Sequence, residues 1–135
     1  MSDASPEHDD VLIRALIGRA AYLADEGTPD DYRSLYTHDA TWTFGADTQT
    51  GVDEIVAATR RRRAGGTSGP GTATRHLVVP LHVTVEGDAA TAVSYFLFFC
   101  DTTSTPVVRV FGVYTDELTR TAEGWRIRRR VSRAG

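Results

Sequence analysis

The chain has 135 residues and a mass of 14.7 kDa, enough for one domain and too short for two ordinary ones. With 41% hydrophobic and 24% charged residues it has a core to bury, and its net charge of −3 argues against nucleic acid, whose phosphates require a basic footprint. All 15 basic residues are arginine, and the absence of lysine excludes Schiff-base chemistry, a pyridoxal phosphate anchor and a phosphate-loop lysine.

Residues 1–10, MSDASPEHDD, are acidic and polar and read as a flexible leader to a single domain over 11–135. A secretory signal would begin basic and turn apolar, so the expected location is the cytoplasm. No run approaches the ~18–20 apolar residues of a membrane span. From Val11 the pattern turns helical: Leu12, Leu16, Ala20 and Leu23, widened by Ile13, Ile17 and Ala24, predict an amphipathic helix over 10–25. Asp9 or Asp10 is its N-cap, and Gly27 with Pro29 its stop. A second, short helix starts at Asp30 or Asp31 and buries Tyr32, Leu35 and Tyr36. Ala40 to Phe44 alternates with period two and reads as a strand, after which Gly45 and Gly51 bound a turn. Val52, Ile55, Val56 and Thr59 mark a third helix ending in Arg60 to Arg63, a run that suits a solvated helix C-terminus better than a phosphate grip. Residues 64–72, AGGTSGPGT, form a glycine-rich connection or lid.

Four long strands follow, over 73–86, 89–101, 107–120 and 124–132, joined by short turns and therefore an antiparallel meander. The stretch VSYFLFFCD in the second of them is apolar on both faces; one face meets the helices, and the other is expected to be covered by a second copy of the chain, giving a dimer or trimer. Helices followed by a curled antiparallel sheet make this an α+β, cone-shaped barrel with a cavity between the layers. The single Cys100 has no internal disulfide partner, and no histidine or cysteine pair at metal-ligand spacing occurs, so no metal is expected.

Within such a cavity His76, opening a strand directly after the glycine loop, is the natural proton acceptor, because imidazole titrates near neutrality. Asp25, at the end of the first helix, is the candidate carboxylate to hold its tautomer, although helical geometry sets it off the centre of the apolar face. The remaining histidines, His8, His38 and His82, carry no comparable pattern. Trp42, Phe44, Tyr95, Phe96, Phe98 and Tyr114 are enough aromatics to line a cavity for a flat apolar ligand, and equally enough to fill a core. Tyr22, Trp42, Tyr95 and Tyr114 are candidates for the cavity wall or for a hydrogen bond to a substrate oxygen.

The strand HDATW, the helix opened by Gly51 to Ile55, the strand opening TRHL, then GDAATAVSY, GVYTDEL and GWRI resemble the SnoaL-like branch of the nuclear transport factor 2-like superfamily from about Val11 to Arg130. The resemblance extends to scytalone dehydratase and hexachlorocyclohexane dehydrochlorinase, and it implies an Asp–His dyad at Asp25 and His76. It also implies a substrate-side arginine at Arg130, five residues after Trp125 and out of phase with Trp125 and Ile127, so that a bulge is needed to turn it inward. The chain departs from the scytalone dehydratase pattern: no second histidine stands near Tyr95 to Phe98, and it has no asparagine to orient a substrate. The ketosteroid isomerase base would fall near Phe44. The implied activity is a cofactor-free elimination, isomerisation or cyclisation of a small apolar or cyclic molecule. The alternative is a non-catalytic ligand carrier or assembly subunit of the same fold.

Overall fold

A computed structural model describes residues 5–135. Helix α1 spans Pro6–Glu26. The Ser5 hydroxyl caps it by accepting from the His8 N–H, proline occupies the first turn, and Glu7 and Asp9 place negative charge at the positive end of the helix dipole. The helix therefore starts earlier than the sequence reading. Of the leader read over 1–10, residues 1–4 lie outside the described residues and 6–10 are helical. The cause is distant in sequence: Asp9 is buried, where it accepts from both terminal nitrogens of Arg120 at 2.8 Å and from the Trp125 indole at 3.1 Å.

After Gly27 comes a short 3-10 helix, Pro29–Ser34, opened by a reciprocal cap between Thr28 and Asp31. It buries Tyr32 and delivers the buried Leu35 and Tyr36 to strand β1, Tyr36–Phe44. Where the sequence reads as a turn, Asp47–Thr50 forms a short strand, β2, antiparallel to β1. Its residues DTQT have no apolar alternation to reveal a strand; pairing with β1 makes one. Helix α2, Val52–Ala64, buries Val52, Ile55, Val56 and Thr59. Strands β3 (Thr74–Glu86), β4 (Ala89–Cys100), β5 (Val107–Thr121) and β6 (Gly124–Ala134) form the antiparallel meander.

The six strands make one open sheet in the order β2-β1-β6-β5-β4-β3, and β1 lies parallel to β6, so the sheet is mixed. Three ladder irregularities leave Leu81, Arg109 and Arg128 as extra residues in β3, β5 and β6. Each such bulge bends its strand and raises the local twist, which wraps the sheet around the helices. The core lies between the concave face and the helices, with Ile13, Ile17, Leu35, Ile55, Leu118 and Ile127 fully withdrawn from solvent. On the convex face Leu77, Val79, Tyr95 and Phe111 remain exposed. No helix among the described residues is long and apolar enough to cross a membrane.

Candidate active site

Between the concave face of the sheet and the helices is a cavity of about 450 Å³. Its wall follows from the strand registers. Side chains of one face recur every second residue, so cross-strand partners form rows across the sheet. One row runs Gln49, Trp42, Arg130, Asp116. The next runs Asp47, Phe44, Ser132, Tyr114, Ser94, and toward the meander end follow Gly112, Phe96, Val78 and then Val110, Phe98, His76. A side chain on Gly112 would overlap the Phe96 ring, so glycine there lets Phe96 lie flat and stack on Tyr114 with ring centroids 4.2 Å apart.

At the meander end, α1 and β3 bring Asp25 and His76 together. Asp25 is the penultimate residue of α1 and is only 5% exposed, despite its position off the apolar stripe. It turns inward because β3 begins beside the helix end. The His76 backbone N–H donates to the carboxylate at 3.0 and 3.2 Å, and the ring Nδ1 lies 2.8 Å from Oδ1. One carboxylate thus fixes both the start of the strand and the imidazole. Its donors require Nδ1 to carry a proton when the carboxylate is ionised, which leaves Nε2 with the lone pair. The His76 ring lines the cavity and tilts against Phe98 at 4.8 Å.

The end of α1 is itself held from outside. It has no basic residue in its last turn, and Arg63 of α2 supplies the cation, donating to the carbonyls of Leu23, Ala24 and Gly27 at 3.0, 3.2 and 2.6 Å. Of the run Arg60 to Arg63, read as a solvated helix C-terminus, Arg60 and Arg61 are exposed and Arg60 pairs with Asp30, whereas Arg62 lines the cavity and Arg63 satisfies carbonyls of α1 rather than of its own helix.

At the opposite end Arg130 is 3% exposed and makes a two-pronged pair with Asp116 at 2.8 and 2.9 Å. The bulge at Arg128 shifts the phase of β6 and turns Arg130 inward. Burial works against its charge, but the Asp116 carboxylate outweighs burial and holds the guanidinium firmly protonated. Its cationic carbon lies 3.8 Å from the Tyr114 ring centroid and 5.8 Å from that of Trp42. The Trp42 indole donates to Ser132 Oγ at 2.8 Å. Burial pushes the Tyr114 phenol up to about 12 and raises Tyr36 as well, so both remain hydrogen-bond donors at neutral pH. Gln49 Oε1 and Ser94 Oγ are buried without a partner among the described residues, and Gln49 is part of the cavity wall. No cluster of three or more His, Cys, Asp or Glu side chains suited to a metal occurs among the described residues.

Of the residues singled out from sequence, Asp25 and His76 are in contact, and Trp42, Phe44, Tyr114 and Arg130 line the same cavity. Two are corrected. Tyr22 is 64% exposed on the outer side of α1, and Tyr95 is 43% exposed on the convex face of the sheet, tilted against Phe111, so neither lines the cavity. Tyr95 alternates with Phe96, and only the register shows which of the two points inward. Missed in the sequence were Asp116, Gln49, Arg62 and Arg109. Asp116 had a signal, since it stands two residues from Tyr114 and must share its face.

The profile of the SnoaL-like domain matches residues 8–131. An NTF2-like protein with a cystatin-like fold from Novosphingobium aromaticivorans is 29% identical over 95% of this chain and 82% of its own, with a TM-score of 0.80. A Mycobacterium tuberculosis protein of unknown function is 24% identical over 93% of this chain and 76% of its own, at a TM-score of 0.78. A Catenulispora acidiphila protein in complex with S-DNPA is 22% identical over 90% of each chain, at 0.77. The last two show likeness of fold alone. No curated protein matches the chain. Its concave sheet, its helices and the match over nearly its whole length establish that the chain belongs to the SnoaL-like domain family, within the NTF2-like fold.

Proposed function

We propose that the protein is a cofactor-free lyase or isomerase, of the dehydratase or cyclase kind, in which His76 abstracts a proton from a small cyclic or apolar substrate. The observation that carries this reading is the 2.8 Å contact between Asp25 and His76 Nδ1 at the wall of a cavity of about 450 Å³, a size suited to one small molecule. With Nδ1–H committed to Asp25, Nε2 is the base, and the imidazolium formed on proton transfer is stabilised by the adjacent carboxylate. The flat faces of Trp42, Phe96, Phe98 and Tyr114 hold the substrate body, and the phenol of Tyr114 and the guanidinium of Arg130 supply donors for its oxygens.

The test is a panel of cyclic ketones and β-hydroxy ketones, followed by NMR for solvent-deuterium exchange next to the carbonyl and for loss of water. A positioned general base contributes about 10²–10⁴ in rate, so His76→Ala is expected to lose that much turnover on any substrate found. Undiminished turnover in that variant would overturn the mechanism.

A second reading, a non-catalytic ligand-binding or assembly subunit, is favoured by the convex face, where Leu77, Val79, Tyr95 and Phe111 expose a contiguous apolar area. The same face is where two copies of the chain would pair. Ligand binding with no reaction of any panel member would favour this reading over the enzyme.

A further inference from the structure

The cavity carries charges that the proton-transfer reading does not use. Arg130 is neutralised where it stands by Asp116, and the Asp25 carboxylate is engaged by the neutral His76 ring and the His76 backbone N–H. Two other arginines of the cavity wall, Arg62 and Arg109, have no carboxylate within 4.0 Å among the described residues. Among the described residues Asp47 is the one acid on the rim, and it is bridged to neither.

Arg109 occupies the extra position in β5, where Phe98 pairs with Val110 and Phe99 with Val108. In a regular ladder Arg109 would alternate with Val110 and face away from the cavity. The bulge releases it from that alternation, and its side chain joins the cavity rim beside Val110, on the row that continues through Phe98 to His76. Arg62 enters the rim from α2, with its guanidinium carbon 5.5 Å from the Trp42 ring centroid and one nitrogen donating to Thr59 Oγ1 at 3.0 Å. Among the described residues the rim thus carries two arginines without a carboxylate partner, Arg62 and Arg109, and one acid, Asp47. The complement is an anion with a planar fork of oxygens, which arginine receives with two parallel hydrogen bonds.

Resting on the reading of this cavity as the substrate site, we propose that Arg109 binds a carboxylate carried by the substrate, with Arg62 adding positive potential at the same rim. The substrate class is then a cyclic or aromatic carboxylic acid. Its apolar body lies between Trp42 and Phe98, and its acidic C–H lies within reach of His76.

Isothermal titration with 1-naphthoate and methyl 1-naphthoate, matched in shape and differing in charge, tests this directly. The acid is expected to bind at least about tenfold more tightly than the ester, as for one charge-assisted hydrogen-bond pair. Arg109→Gln is expected to remove most of that preference while leaving the ester unchanged, and Arg62→Gln to reduce it by less. Both side chains sit on the rim outside the core, so the variants retain the fold, which circular dichroism checks. Equal binding of acid and ester, no binding of either at millimolar concentration, or a preference that survives Arg109→Gln overturns the proposal. His76→Ala is expected to keep the preference for the acid, so failure of the anion site and failure of the base are read separately.

Discussion

Arg130 and Asp116 face each other across neighbouring strands with both hydrogen bonds of a guanidinium–carboxylate fork formed, at 2.8 and 2.9 Å, and with 3% and 0% of their surfaces exposed. A pair so deeply withdrawn from water gains its stability from mutual satisfaction, and the cost of breaking it falls on whichever charge is left behind. The pair therefore supports the cavity floor as well as supplying a donor to it.

Asp116→Ala is expected to destabilise the fold by about 3–5 kcal/mol, because it strands the Arg130 charge in the interior. The double change Asp116→Leu with Arg130→Met should be much milder, since it removes both charges together. Urea unfolding of the two variants checks the difference; equal losses would mean that the pair is not the source of the effect.

Acid sensitivity has a defined origin farther along β5, where Arg120 meets Asp9. The hydrogen bonds from Arg120 hold the Asp9 carboxyl at about 2, against 3.8 for an unperturbed group, with Trp125 adding to the effect. A carboxyl whose folded value is depressed contributes stability that is complete above the unfolded value and is lost as pH falls toward the folded one. Wild type is expected to lose stability between about pH 4 and about pH 2 more steeply than Asp9→Asn, which has no proton to take up there. Denaturation midpoints followed across that window test the sign and the range.

The convex face carries the expectation of self-association. Leu77, Leu97 and Phe111 are cross-strand neighbours on it, and the Tyr95 ring tilts against Phe111 with centroids 5.2 Å apart. Sedimentation of wild type is expected to show more than one chain per particle, and Leu77→Asp, exposed on that face, is expected to shift it to single chains. An unchanged sedimentation coefficient in Leu77→Asp would place any association elsewhere.

The sequence shows the helices and the meander clearly, because Ile13, Ile17, Ile55 and Val56 repeat at helical spacing and the long β-rich stretches from Thr74 onward are separated only by short turns. It also makes His76 conspicuous as chemistry, while Asp25, off the apolar face, stands out only through the family resemblance; their contact depends on where α1 stops and β3 starts, a tertiary relation that no local pattern encodes. Period-two alternation states that Tyr95 and Phe96 face opposite ways and leaves open which faces inward; the helices covering one side decide it. The start of α1 was hidden because Asp9 looks solvated until Arg120 and Trp125, more than a hundred residues away, are brought against it. Arg109 is illegible for a similar reason: in an unbroken strand it would point outward, and only the bulge reverses that.

The central claim is that Asp25 fixes His76 with its proton on Nδ1 and its lone pair on Nε2. Long-range proton–nitrogen NMR correlation of the His76 ring reads that arrangement directly. The account expects the neutral ring to carry its proton on Nδ1 in wild type, and that preference to be lost in Asp25→Asn, whose amide can donate to the ring. A neutral His76 protonated on Nε2 in wild type, or a tautomer indifferent to Asp25→Asn, would contradict it.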